Sequence, residues 1–194
     1  EILYRLVGSE MCIRDSEITD QAWYGVDSST LETNRKYNMA GEYYDEFGNI
    51  LYYEDQVDNY KQNHLQIHWN QIYQNGWNSN FGIHFTNGKG FFENYNLGYG
   101  ASDYIDRRWL DNDFYGAVFS YNNSLNKLDY TLGGGWNTYD GRHYGVVRWA
   151  EYASNSQIDH IYYDNDGIKT DFNLYAKGLY KYSDDVTVYA DLQH

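Results

Sequence analysis

An all-β, antiparallel architecture is predicted for this chain, and three observations predict it. Apolar and polar residues alternate with period two over several long stretches, which is the spacing of a strand and not of a helix. Turn-forming clusters of Asn, Gly, Asp and Ser punctuate those stretches. Short turns and long polar excursions also alternate along the chain. The clearest stretch is residues 62–86, a hairpin with one apolar and one polar face. Leu65, Ile67, Trp69 and Tyr73 share one side of its first arm, and Gln62, His64, Gln66, His68, Asn70 and Gln74 share the other. In the second arm Phe81, Ile83 and Phe85 oppose Asn80, Gly82, His84 and Thr86, and residues 75–79 supply the turn. Matching apolar faces place Asn70 opposite His84 and give the loop an odd length of three or five residues. The polar face carries no Lys, Asp or Glu. A wall that is apolar on one side and wettable on the other is the pattern of a transmembrane β-barrel.

Composition agrees. The 194 residues hold 24 Tyr, 8 Phe, 6 Trp and 18 Gly, and no proline. No run of about 18 apolar residues exists to make a membrane-spanning helix. A barrel needs none, because only alternate residues face lipid. A net charge of −14 excludes a nucleic-acid partner, which calls for a basic stripe. The single Cys12 cannot form an internal disulfide. Residues 1–16 share nothing with the tyrosine-rich alternation that follows. They resemble the translated read-through of a sequencing adapter and are set apart as non-native. Arg5, Glu10 and Arg14 break the apolar run that a signal peptide would need. Residues 17–194 form the domain.

Residues 17–60 carry ten acids against Arg35 and Lys36, and read as a solvent-facing excursion. Inside it a small hairpin has its tip at Glu46-Phe47-Gly48-Asn49. After the opening hairpin, residues 88–112 form a second excursion. Tyr115, Ala117, Phe119 and Tyr121 then share an apolar face, and Leu128, Tyr130, Leu132, Gly134 and Trp136 return on it. These faces match across an even loop with Asn122 opposite Lys127. Gly133-Gly134-Gly135 lets the sheet coil or another chain element approach closely. Residues 139–168 form a third excursion with its own hairpin, 145–152 against 158–163, and a return signal at Asp164-Asn165-Asp166-Gly167. Phe172, Leu174, Ala176, Gly178 and Tyr180 line the last hairpin, which turns near Ser183 and returns through Val186, Val188 and Ala190.

The expectation is therefore an open, curved meander of about six long strands in three hairpins. Most of the acids lie in the long loops, and Tyr and Trp recur near strand ends as interfacial girdles. Six strands fall short of the about eight that close the smallest barrels, so the sheet reads as an internal piece of a larger barrel. The alternative is a secreted or surface-exposed β-sandwich that binds glycans, whose apolar face a second sheet would cover.

Several stretches together carry a family resemblance. They are Gln21-Ala22-Trp23-Tyr24-Gly25-Val26, Thr33-Asn34-Arg35-Lys36-Tyr37-Asn38 and Asp58-Asn59-Tyr60. Further on come Trp109-Leu110-Asp111-Asn112-Asp113-Phe114-Tyr115-Gly116, Leu132-Gly133-Gly134-Gly135-Trp136-Asn137, Tyr139-Asp140-Gly141 and Tyr163-Asp164-Asn165-Asp166. In this series the chain resembles the TonB-dependent receptors of the Bacteroidetes outer membrane. The resemblance implies a barrel of about 22 strands around a plug domain. It implies import of a small chelate such as a ferric siderophore, haem or cobalamin, driven through TonB acting on the plug. Neither the plug nor the C-terminal strand that ends in an aromatic residue lies within these residues, and alone they transport nothing. Outer-membrane lipid and lipopolysaccharide are the implied surroundings, and no cofactor is implied.

Ligand contacts in such a receptor fall on the excursions. Tyr95, Tyr99, Tyr104, Trp109, Tyr139, Tyr144 and Trp149 offer stacking faces, and Arg107, Arg108, Arg142 and Arg148 offer charge to an anionic ligand. Aromatic packing between loops is the plainer role for each. His64 and His68 lie about 13 Å apart along a strand, too far to share an ion. His68 and His84 are diagonal neighbours roughly 7 Å apart, a weak metal pair whose plainer role is wet-face polarity. Asp164–Gly167 begins like a calcium loop but lacks the downstream Glu, and reads as a turn; Asp111-Asn112-Asp113 has the same status. The chain carries no nucleophile elbow, phosphate loop or zinc-protease helix motif, so no catalytic residues are assigned.

Overall fold

A computed structural model describes residues 13–21, 23–98, 102–152 and 157–194, with backbone alone for 13–19. The chain is all-β and forms an antiparallel meander. The six long strands expected are β4 (Val57–Ile72), β5 (Asn78–Asn96), β6 (Tyr104–Leu125), β7 (Leu128–Ala150), β8 (His160–Lys181) and β9 (Thr187–Gln193). A further strand, β1 (Ile13–Asp20), pairs with β4, so the sheet runs β1-β4-β5-β6-β7-β8-β9. The boundary drawn at residue 16 falls inside β1. Between β1 and β4 the chain forms one helical turn, α1 (Ser28–Thr33), capped by Asp27, which accepts a bond from the Thr30 amide at 2.7 Å. The expected small hairpin follows as β2 (Glu42–Tyr44) and β3 (Ile50–Tyr52). Gly48 at φ +80° makes its tip, a backbone shape that costs glycine little.

Every short turn lies at one end of the sheet. The first closes over residues 73–77, with the Tyr73 amide donating to the Trp77 carbonyl at 2.8 Å and Gly76 at φ +85°. The loop has five residues, but its register corrects the expected one. Asn70 faces Asn80, and His84 faces Gln66, because the turn closes directly onto Asn78. The second turn is only Asn126-Lys127, with Asn126 at φ 52°. Asn tolerates the left-handed region, so the hairpin tightens and Asn122 faces Thr131 instead of Lys127. The third turn holds the Ser183 amide 3.1 Å from the Val186 carbonyl.

The opposite end carries the longer connections, which are shorter than the sequence predicted. Residues 88–112 and 139–168 are not solvent loops for most of their length. β5 and β6 stay paired from Asn78↔Asn122 to Asn96↔Tyr104, and β7 and β8 pair up to Val147↔His160. The two arms expected at 145–152 and 158–163 do pair, as continuations of the long strands. Asp164–Gly167 and Asp111–Asp113 lie inside β8 and β6, and neither is a turn. Register slips occur between Ile105 and Asp106, and between Gly145 and Val146, where each pair of strands gains an unmatched residue. β6, β7 and β8 run 22, 23 and 22 residues. Strands of that length extend roughly 70 Å, about twice the 9–11 residues a bilayer requires.

Burial is inverted relative to a domain with an apolar core. Among the described residues Val146 is the one buried hydrophobic side chain, while Gln21, Asp106 and Ser79 are the most deeply buried. Among the described residues the sheet is one layer, and no second layer covers either face of its turn-end half.

Candidate functional site

The strand pairing fixes which side chains share a face. One row across the sheet reads Trp69, Phe81, Phe119, Gly134, Leu174, and the next reads Ile67, Ile83, Ala117, Trp136, Phe172. Leu65, Phe85, Tyr115, Thr138 and Thr170 close the band above. Leu132, Ala176 and Leu192 continue it below. Trp69, Phe85, Phe119, Leu132 and Leu174 thus lie on one side, as the alternation predicts. Among the described residues, this face holds no Lys, Arg, Asp or Glu from that upper row to the short turns; His194 lies on it beside Leu174. Its side chains remain uncovered: Ile83 is 41% exposed and Leu132 48%. Covering the exposed remainder of each such side chain would gain about 1 kcal/mol, so the face calls for an apolar covering. Aromatic rings mark its limits. Trp77 meets Tyr130 edge-on at 5.3 Å at the turn end, and Tyr115 meets Trp136 at 5.8 Å near the upper rim.

The other face is polar but mostly uncharged. His64 Nδ1 lies 2.9 Å from Thr86 Oγ1, His84 Nε2 2.9 Å from Asn137 Oδ1, and Asn80 donates to Ser120 at 3.2 Å. Glycine floors this face where rings lie across it. A Cβ at Gly133 would sit 2.5 Å from the Tyr175 ring, and one at Gly116 would meet the Trp136 carbonyl at 2.2 Å and His84 at 2.9 Å. The coil-permitting Gly133–Gly135 run therefore makes room for side chains of β8. His68 faces Gly82, diagonal to His84, as expected, and its Nε2 lies 3.3 Å from Gln66. Among the described residues no three His, Cys, Asp or Glu side chains converge on one point.

Toward the long connections both faces change character, and the candidate ligand residues divide between them. Tyr95, Arg107, Trp109, Arg142, Tyr144 and Trp149 lie on the side of the apolar band, beyond its rim. There Trp109 stacks on Tyr144 at 5.9 Å and 5°, Arg142 lies 4.6 Å from the Tyr144 ring, and Arg107 lies 4.0 Å from the Phe91 ring. Arg142 also forms a forked pair with Asp164 at 2.8 and 2.6 Å, and Arg107 pairs with the buried Glu93. Tyr104, Arg108 and Tyr139 lie on the polar face, and Arg148 occupies the bulge and holds Asp159. Tyr99 lies outside the described residues. The candidates therefore do not form one site. Their cations are already matched by carboxylates, Arg107 and Arg142 across strands, Arg108 by Asp106 of its own strand and Arg148 by Asp159 just before β8, which leaves little net charge for an anionic ligand.

The loops dock firmly on this end. Tyr43 and Tyr53 pack on Tyr95 at 5.1 and 5.9 Å, and Tyr53 donates to Glu93 at 2.6 Å. Burial first, then that carboxylate, pushes the Tyr53 phenol up. Asp103 accepts from the Gly98 amide at 2.9 Å and from the Tyr95 hydroxyl at 2.5 Å. The Gly98 bond, then the Tyr95 bond, holds its carboxyl below the usual carboxylate range. On the polar side the same loops border an open cleft between Trp23, Gln56, Phe92, Asn94 and Arg108. Tyr95 also reaches its lining, and Tyr95 and Arg108 were the candidates from sequence that meet there. Trp23 and Gln56 lie in a loop whose landing place on β5 no local pattern encodes. Comparison with protein-family models, with curated proteins and with solved structures finds no match.

Proposed function

We propose that this sheet is part of the wall of an outer-membrane barrel of the TonB-dependent transporter kind. Its apolar face lies against lipid, its polar face lines an aqueous interior, and its long connections face outward. The observation that carries the reading is the uncharged, uncovered apolar band spanning β4 to β9. Short turns at one end and long connections at the other support it, as do the ring-lined limits of the band. So does the set of motifs that resembles such receptors. The wall serves passage of a small solute rather than catalysis. Lipid and lipopolysaccharide surround it, and TonB acts through a plug domain within the barrel. An open sheet facing hydrocarbon leaves unpaired backbone at β1 and β9, which neighbouring strands of the same barrel would satisfy. In the sandwich alternative a second sheet covers the band; the other sheet described here, β2–β3, packs instead beside Tyr95.

The test is depth-resolved quenching. In full-length variants that keep one tryptophan each, reconstituted into vesicles with brominated acyl chains, Trp69 and Trp136 should quench strongly and Trp23 should not. Equal quenching at Trp69 and Trp23, or a chain that remains a compact monomer in water without detergent, overturns the reading.

A further inference from the structure

We propose that a second cleft, at the short-turn end of the polar face, binds a linear polyamine held at one end by Asp129 and at the other by Asn78. Strand pairing sets the place. Asp129 faces Leu179 in one row of that face, and Asn78, Asn122, Thr131 and Lys177 form the next. The cleft along these rows has a volume of about 440 Å³, within the range of roughly 300–1,000 Å³ usual for small-molecule sites. It lies at the far end of the strands from Trp23 and Arg108 and shares no residue with the cleft there.

The unmet groups of this cleft are acceptors. Lys177 turns away from Asp129, with its ammonium 3.9 Å from Asp191 and 5.0 Å from the centre of the Tyr175 ring. The Tyr189 hydroxyl donates to the same Asp191 at 2.9 Å. These donors are thereby occupied. Asp129 is exposed, and among the described residues it has neither a hydrogen bond nor an ion pair. Asn78 Oδ1 and Asn123 Oδ1 are buried without a partner, and both residues line the cleft. Asn123 is 7% exposed and lies one residue past the last β5–β6 pair, beside the turn at Gly76. Buried oxygens of this kind are ordinarily paired, and the fold supplies no donor here. A side-chain amide turns readily about its last bond, so a donor at the opening can draw either oxygen to it. An unpaired carboxylate near unpaired carbonyl oxygens calls for a cation that also donates hydrogen bonds, and a protonated amine does both.

Spacing decides the kind of cation. Asp129 and Asn78 stand two strands apart and two residues out of line, a separation of roughly 12 Å. A calcium ion holds its oxygens within about 2.6 Å, so it cannot engage both ends. Among the described residues no three His, Cys, Asp or Glu side chains converge on one point. An extended methylene chain with an ammonium at each end spans the gap. Its middle passes Asn122 and Thr131, which already satisfy each other through the 2.8 Å bond that Thr131 donates. An anion would meet Asp129 and a chain of net charge −14, while the same field draws a polycation in. The inference concerns the polar face alone and does not depend on a surrounding membrane.

The full chain in neutral detergent micelles is titrated by calorimetry with spermidine, with octamethylenediamine and putrescine as long and short dications, and with calcium chloride. Spermidine should saturate a single site, and added salt should weaken it. Octamethylenediamine should bind about tenfold more tightly than putrescine, which is too short to reach both ends. Asp129→Asn and Asn78→Ala should each weaken spermidine by about tenfold. Asp185→Asn removes the same charge from the turn after β8, outside the cleft, and should leave binding unchanged. Far-UV circular dichroism checks that each variant is folded, and the exposed Asp129→Asn leaves the packing intact if Asn78→Ala does not fold. The proposal is overturned if spermidine does not saturate at millimolar concentration, if the long and short dications bind alike, if calcium binds more tightly than spermidine, or if Asp129→Asn and Asp185→Asn have equal effects. Failure of the lipid-quenching test with polyamine binding intact would sink the transporter reading alone; the converse result would sink only this one.

Discussion

The same strands pass through two regions that obey different rules. Below the row Leu65, Phe85, Tyr115, Thr138, Thr170, one face holds no Lys, Arg, Asp or Glu among the described residues and stays uncovered. Immediately above it, the same face carries Asp113 beside Asp140, then Lys89 beside Asp111 beside Arg142. In the lower half the strands are held by backbone pairing, and the side chains await a partner outside the sheet. In the upper half the side chains pair with each other, as in Lys89–Asp111 at 2.6 Å and Arg142–Asp164 at 2.6 Å. The change falls within one side-chain row, where the proposed barrel wall would pass from lipid to water. A gradual change would suit a sheet half-covered by another domain.

The largest effect should come from placing charge on either side of that boundary. In phosphatidylcholine vesicles, Ile83→Arg should lower the urea-measured folding stability by about 2–4 kcal/mol, as for a midplane site facing lipid. Asn63→Arg, on the same face at the rim, should cost no more than about 1 kcal/mol. Asn80→Arg, on the polar face near Ile83, should also cost far less than Ile83→Arg. Equal costs at Ile83 and Asn63 would break the comparison by height, and equal costs at Ile83 and Asn80 would break it by face.

The second effect sharpens the upper half. Glu93 is buried and accepts from both Arg107 and Tyr53, so Arg107→Ala strands a carboxylate in a dry setting. Its cost should be about 2–3 kcal/mol in denaturant unfolding. The double variant Arg107→Ala, Glu93→Ala should recover part of that loss. A purely additive double variant would mean that the pair is incidental and that ring packing on Phe91 carries the upper sheet.

These two halves also explain what was legible in the sequence. Alternation in the lower half depends on each residue's own polarity, so Leu65-Gln66-Ile67-His68-Trp69 announces a strand and its faces without knowledge of any partner. The residues of the upper half make sense only in pairs. Asp164-Asn165-Asp166-Gly167 looks like a turn until Arg142 is brought against it, and Arg107-Arg108 looks like a charged loop until Glu93 and Asp106 take opposite faces. Register decided the rest. The turn at Asn126 closes more tightly than matching the apolar faces required, because parity alone accepts any shift of two. The cleft was the least legible part, since Trp23 reaches Phe92 only through the fold of the long first loop.

The smallest effect tests whether the upper half responds to water as a solvent-facing region must. Asp103 lies just before β6 and holds both the Gly98 amide and the Tyr95 hydroxyl. Its carboxyl is held below the usual range, first by the Gly98 bond and then by Tyr95. A depressed folded-state value means the carboxylate favours the folded loop at neutral pH. That contribution is present above the unfolded value and is lost as pH falls through the folded one. Protection of the Gly98 amide against hydrogen exchange, corrected for intrinsic rate, should therefore fall below the ordinary carboxylate range. In Asp103→Asn it should be flat over the same interval, since the amide cannot titrate. Protection at Leu132, on the uncharged face, should not follow the Gly98 curve. A parallel loss at both positions would mean that acid loosens the whole sheet, and that the boundary between its halves is not a boundary in stability.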